Sequence, residues 1–174
     1  ETTSSETRAE DVAAAMVSVF IEAEAPNGVK VGLDITLHDI ESETATNKRN
    51  SCGTCVDSGT TTVQVDITGN MQVYAILPLG DSGVYFRAGY SEADVETNES
   101  MATSSKYPNT TLSGIHASIG YEVNAGALGI RVEGGYSDYD QISVTGTGGD
   151  GTANTVTVSG LDGYHARLSI VKSF

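Results

Sequence analysis

Arg87, Arg131 and Arg167 lie on three separate alternating segments of the chain, and Glu22, Glu122 and Glu133 share the same polar parity in theirs. Glu24, Lys30, Asp34 and Asp66 fall on that parity too. Guanidinium and carboxylate groups held on facing surfaces make short, charge-assisted bonds, so a structural ion-pair core is the expected role, with ion conduction or proton relay as its competitor. Cys52-Gly-Thr-Cys55 has the spacing of a redox motif, half a metal site or a local disulfide. No second such motif or His cluster supports zinc, and a disulfide between Cys52 and Cys55 is the expectation for an oxidising exterior. His116, Ser118 and Glu133 include a base, a nucleophile and an orienting carboxylate, but their parity puts all three on the polar face. His38 and His165 stand alone and read as structural. The acidic stretches at Glu41–Glu43, Glu92–Glu99 and Asp138–Asp140 could attract Ca²⁺, yet none has the spacing of a calcium loop, so solvated surface is expected. No catalytic role, cofactor or metal is expected.

The elements that would position these groups are strands. From Val63 to Leu77 the apolar residues Val63, Val65, Ile67, Met71, Val73, Ala75 and Leu77 recur at every second position, and Gln64, Asp66, Thr68, Asn70, Gln72 and Tyr74 lie between them. A period of two is the mark of a strand with one apolar and one polar face. Treating Gly69 as part of one uninterrupted strand keeps Val65 on the apolar face and Asp66 on the polar one. The same alternation recurs at about 13–24, 29–39, 84–95, 110–123, 127–139 and 163–174, giving seven strands. Short turns at 25–28, 78–83 and 124–126 alternate with long polar connections at 40–60, 96–109 and 140–154. Residues 1–12 read as a loop or a frayed end.

The 174 residues suit a single domain. A net charge of −14 leaves no basic patch for nucleic acid. No run of about 18 apolar residues exists, so a transmembrane helix is excluded, whereas a strand with alternating faces would never give that signal. The 63–77 strand, at about 3.3 Å per residue, is long enough to cross a bilayer at a tilt. Short turns at one end and long loops at the other fit an antiparallel up-and-down transmembrane barrel with apolar side chains towards lipid and charges within. A small barrel of this kind is filled by its side chains. The alternative is a secreted β-sandwich adhesin or fibre subunit, which would enclose the apolar face and be completed by a donated strand.

The chain ends Arg-Leu-Ser-Ile-Val-Lys-Ser-Phe. Phe174, with Ile170, Leu168 and Tyr164 at alternate preceding positions, resembles the C-terminal strand of bacterial outer-membrane proteins; Lys172 departs from that pattern. With GIHASIGYEV and GIRVEGGYSDYD, residues 83–174 resemble the opacity-protein and OmpA-like eight-stranded barrels. The resemblance implies an outer-membrane location at the cell surface, contact with membrane lipid, recognition of the last strand by the assembly machinery, and a non-enzymatic surface-contact or adhesion role for the long acidic loops. It also implies eight strands. With seven counted, the first would come from an upstream segment or another chain, and residues 1–12 would lie on the extracellular side. Tyr90, Tyr136 and Tyr164 would form an upper aromatic girdle, and Tyr121 and Phe174 a lower one. The His116-x-Ser118 pair with Glu133 resembles the site of small outer-membrane lipid deacylases, whose residues face lipid; here they are expected to face inward.

Overall fold

The computed structural model describes residues 13–41, 45–49, 59–100, 106–126, 128–147 and 153–173. Every regular element among them is a β-strand: β1 (Ser18–Glu24), β2 (Lys30–Thr36), β3 (Ile40–Glu41), β4 (Ala45–Arg49), β5 (Gly59–Pro78), β6 (Val84–Ser100), β7 (Thr110–Ala125), β8 (Leu128–Tyr139), β9 (Ile142–Thr147), β10 (Ala153–Val158) and β11 (Asp162–Lys172). Seven of them line up as β1-β2-β5-β6-β7-β8-β11, each antiparallel to its neighbour. The sheet curls into a half-barrel. Among the described residues neither β1 nor β11 has a second strand neighbour.

The turns that hold this meander together follow from the sequence. Pro26-Asn27-Gly28 reverses the chain between β1 and β2 with Gly28 at φ 81°, a left-handed conformation that costs glycine nothing. The amide of Gly28 donates to the carbonyl of Ala25, and that of Ala25 to Val29. Residues 79–83 link β5 to β6, and residues 126–127 link β7 to β8.

Three regions are more ordered than their polarity suggests. Within the stretch 40–60, expected as a polar connection, the described residues are strand: β3 and β4 pair with β5, with Ile40 opposite Ile67 and Ala45 opposite Val63. β6 runs to Ser100 rather than stopping at Val95, because β5 pairs with it as far as Thr62. Where a Gly/Thr/Asp-rich loop was expected at 140–154, β9 and β10 form a separate hairpin with Thr145 and Thr155 hydroxyls 2.9 Å apart. Backbone pairing alone satisfies these segments, so they need no apolar face, and the alternation that marks a buried strand is missing from them.

One expectation about facing is overturned. β5 remains one strand, but Thr68 pairs with Asp94 while Met71 pairs with Glu92, so β5 carries one residue more than β6 between those pairs. Gly69 sits in this bulge at φ 61°. One inserted residue exchanges the two faces of everything beyond it. Directly opposed residues share a face, so Ile67, opposite the buried Val95, and Val65, opposite Thr97, lie on the concave side. Asp66, opposite Glu96, lies on the convex side and accepts a hydrogen bond from Asn98 at 2.5 Å.

Candidate functional site

The concave face of β1, β2, β6, β7, β8 and β11 gathers the charges into one connected network. Arg131 on β8 grips both carboxylate oxygens of Glu22 on β1 through its two terminal nitrogens, at 2.6 and 2.7 Å, and donates from Nε to Glu122 on β7 at 2.7 Å. Lys30 adds a contact of 3.3 Å to Glu122 and one of 3.7 Å to Glu24 at the rim. Arg87 on β6 bonds Glu133 at 3.1 Å, Asp34 at 3.4 Å and the Gln72 side-chain oxygen at 3.2 Å. Arg167 on β11 reaches Asp34 on β2, approaches Glu133 at 3.8 Å, and donates to Ser169 at 3.0 Å and Ser18 at 3.3 Å. Arg131 and Arg167 thereby tie the last strands of the sheet to the first two across its hollow. Arg87 and Glu133 are each only 4% exposed.

Tyr74 joins the two halves of this network. Its ring lies 3.8 Å beneath the Arg87 guanidinium and its hydroxyl donates to Glu22 at 2.7 Å. Glycine makes the space: a Cβ on Gly32, opposite Tyr74, would fall 2.4 Å from the ring, and one on Gly120 would fall 2.2 Å from the ring of Tyr85. Bulky inward aromatics are thus seated against strands that offer no side chain.

All six residues expected in the ion-pair core, Glu22, Arg87, Glu122, Arg131, Glu133 and Arg167, meet in this network. Asp34 bridges two arginines and is more central than its sequence context suggested; Tyr74 and Gln72 were overlooked. Their signal was their even parity, shared with Asp34 and Glu22, and for Tyr74 the glycines at the facing positions. His116 and Ser118 lie on the same concave surface, but neither ring nitrogen of His116 nor the Ser118 hydroxyl has a hydrogen-bond partner among the described residues. Glu133 is engaged by arginine instead. The His–Ser hydrogen bond that would activate a nucleophile is therefore not formed. Among the described residues no group of three potential ligands gathers around a metal position. Cys52, Cys55, Phe174 and the 1–12 segment lie outside the described residues.

The convex face carries the opposite chemistry. Val19, Ile21, Val31, Ile35, Met71, Val73, Leu77, Ile115, Ile119, Val123, Ile130, Val132, Leu168 and Ile170 are all exposed there. Tyr164, the most exposed of the large residues at 92%, meets Tyr136 edge-on with ring centroids 5.4 Å apart. Tyr136 donates to Asp162 at 2.6 Å, which holds that carboxylate at the edge of the apolar band, opposite Asp138. From Ile115 to Val123 the band extends about 27 Å along β7, or roughly 20 Å in height at the tilt of a barrel strand.

At the level of Tyr90 and Ile115, which face each other, the pattern reverses. Beyond it Glu92, Asp94 and Glu96 point outward, while Ala93, Val95 and Leu112 are buried on the concave side. Compared with protein-family models, with curated proteins and with solved structures, the chain matches none.

Proposed function

We propose that this chain forms most of a small up-and-down β-barrel of the bacterial outer membrane, a non-enzymatic scaffold that carries long acidic loops to the cell surface for contact or adhesion. The observation that carries this reading is the reversal at Tyr90. Below it, apolar side chains cover the outside and paired charges fill the inside; above it, carboxylates cover the outside and small aliphatic groups fill the inside. A protein wholly in water has no reason to expose the first face, since an apolar patch of this extent attracts partners or aggregates. Lipid is the partner whose boundary explains where the exposed band stops. Its height is close to the apolar band of about 25 Å on outer-membrane barrels, and Tyr90, Tyr136 and Tyr164 edge it as interfacial aromatics do.

An open sheet edge is not tolerated in lipid, because unpaired N–H and C=O groups there cost several kcal/mol each. In this reading the barrel is closed by one further strand between β1 and β11, supplied from outside the described residues. Its inward positions must be small, since Arg167, Ser18 and Phe20 already meet across that gap. Tyr164, Leu168 and Ile170 project from β11 as an assembly signal would require. The filled interior favours a scaffold over a pore.

The test is solubility and mobility. Refolded into detergent micelles, the chain with its closing strand should run on gels as a compact species that shifts when heated, and in planar bilayers it should add no conductance. A protein that stays monomeric and soluble without detergent sinks the membrane reading.

A further inference from the structure

Two polar side chains on the concave face, and one N–H of a third, are buried without partners among the described residues, and the strand register puts them side by side. Ser118 faces Arg87 across the β6–β7 ladder, and His116 follows two residues along β7, opposite Gly89. His116 is 6% exposed, Ser118 3% and Arg87 4%. Among the described residues neither His116 nitrogen, nor the Ser118 hydroxyl, nor Arg87 Nε has a hydrogen-bond partner. Each such atom, left dry, costs about 1–3 kcal/mol, and folded proteins almost always satisfy them with protein or with water. His165 lies close by: its Nε2 and the Ser118 Cβ come within 2.7 and 2.5 Å of the point where a Gly135 side chain would begin. The His165 Nδ1 is held by Ser137 at 3.2 Å.

We infer that this recess holds an ordered, slowly exchanging internal water bound by His116, Ser118 and Arg87. Water is the one small guest that matches both signs of the demand. It can donate to a neutral imidazole nitrogen while accepting from the serine hydroxyl and the arginine N–H, and two to four such partners are what a buried water needs. A cation would meet the uncommitted Arg87 N–H and the nearby Arg167. An anion would meet Asp34 and Glu133, whose charges already balance those two arginines. Along the strands the recess lies between two layers of side chains. On one side lies the ion-pair layer of Arg87, Asp34, Glu133 and Arg167; on the other lies the aliphatic layer of Ala93, Val95 and Leu112. Exchange with bulk water then requires one of the layers to open, so the water is long-lived.

The experiment is water oxygen-17 relaxation dispersion on the chain refolded in detergent, with the heat-dependent gel shift as an independent check that each sample is folded. The wild type should show a long-lived water component. Ser118→Ala combined with His116→Phe should lower it by about one water, and Ser143→Ala on the exposed β9–β10 hairpin should leave it unchanged. A folded double variant that keeps the full component overturns the inference. If that variant does not fold, a high-resolution crystal structure of the wild type decides: density within hydrogen-bond reach of Ser118 Oγ and a His116 nitrogen supports the water. A dry recess, or an anomalous bromide peak there after halide soaking, refutes it. This inference rests on the concave face alone, and a protein that proved soluble without detergent would be tested by the same relaxation measurement in buffer, with circular dichroism as the check of folding.

Discussion

The strands below Tyr90 and those above it are built from the same alternation and the same ladder, yet they are turned opposite ways. Below, Ile119 and Val132 face outward while Arg131 and Glu133 are buried; above, Glu92 and Asp94 face outward while Ala93 and Val95 are buried. Period two in a sequence therefore reports that a strand has two unlike faces and says nothing about which is inside. The environment decides that, and here the environment changes partway along single strands. β6 makes the change by chemistry alone, keeping its parity while its residues swap character. β5 makes it by geometry, inserting a residue at Gly69 so that its aliphatic side chains move from the convex face to the concave one. Two neighbouring strands thus arrive at one boundary by different routes, which is stronger support for a real boundary than either would be alone.

One of the two largest effects should come from the lower interior. Arg131→Ala leaves the half-buried Glu22 and Glu122 without the buried guanidinium that pairs them, with only Tyr74 and Lys30 as remaining partners, and the loss expected is up to about 3 kcal/mol. Removing a charge from the upper outer face, as in Glu96→Gln, should change stability by no more than about 0.5 kcal/mol. Urea unfolding in micelles measures both, and equal losses would erase the distinction between the regions. Similar in size is the effect of a cation placed on the outer face at two heights. Ile119→Arg, near the middle of the band, should cost about 2–4 kcal/mol in a bilayer, and Glu92→Arg, just above it, about 0–1 kcal/mol. If the two cost the same in lipid vesicles, the apolar band does not lie in a membrane.

How much of this was legible beforehand follows the same division. The seven strands of the meander and the shared parity of Glu22, Arg87, Glu122, Arg131, Glu133 and Arg167 could be read directly, because there one face is largely apolar and a charge on the other stands out. Above Tyr90 the reading failed. Asp66 looked like an inner charge and Val65 like an outer aliphatic, since an inserted residue leaves the alternation in the string untouched while reversing its meaning in space. Strand content in β3, β4, β9 and β10 was missed for a second reason: backbone pairing alone can hold a strand, and Thr- and Asn-rich text reads as loop. Asp34 and Tyr74 were visible as inward positions, but their central place depends on which strands meet across the hollow, a long-range fact that no local pattern encodes.

A smaller effect probes the bulge itself. Gly69 adopts φ 61° and no side chain approaches its Cβ position closer than 3.8 Å, so Gly69→Ala meets backbone strain and no steric clash. A left-handed residue with a Cβ costs about 1–2 kcal/mol, and Gly69→Asn, which tolerates that conformation better, should recover part of the loss. If both substitutions are neutral, the inserted residue is not fixed at Gly69.

The least effect is expected at the boundary ring. Tyr136→Phe removes the hydroxyl that donates to Asp162 at 2.6 Å but keeps the ring against Tyr164. Because the bond is exposed and water can replace it, its loss should change stability little. The two media should nevertheless respond differently. In a bilayer the hydroxyl anchors the ring among headgroups and shields a carboxylate that would otherwise border hydrocarbon, so Tyr136→Phe should be more costly in vesicles than in short-chain detergent. Tyr107, whose ring packs over Gly146 beyond the reversal, offers the control: Tyr107→Phe should respond alike in both media. A Tyr136 that also showed no difference would move the boundary off that residue and leave Tyr90 and Tyr164 to define it.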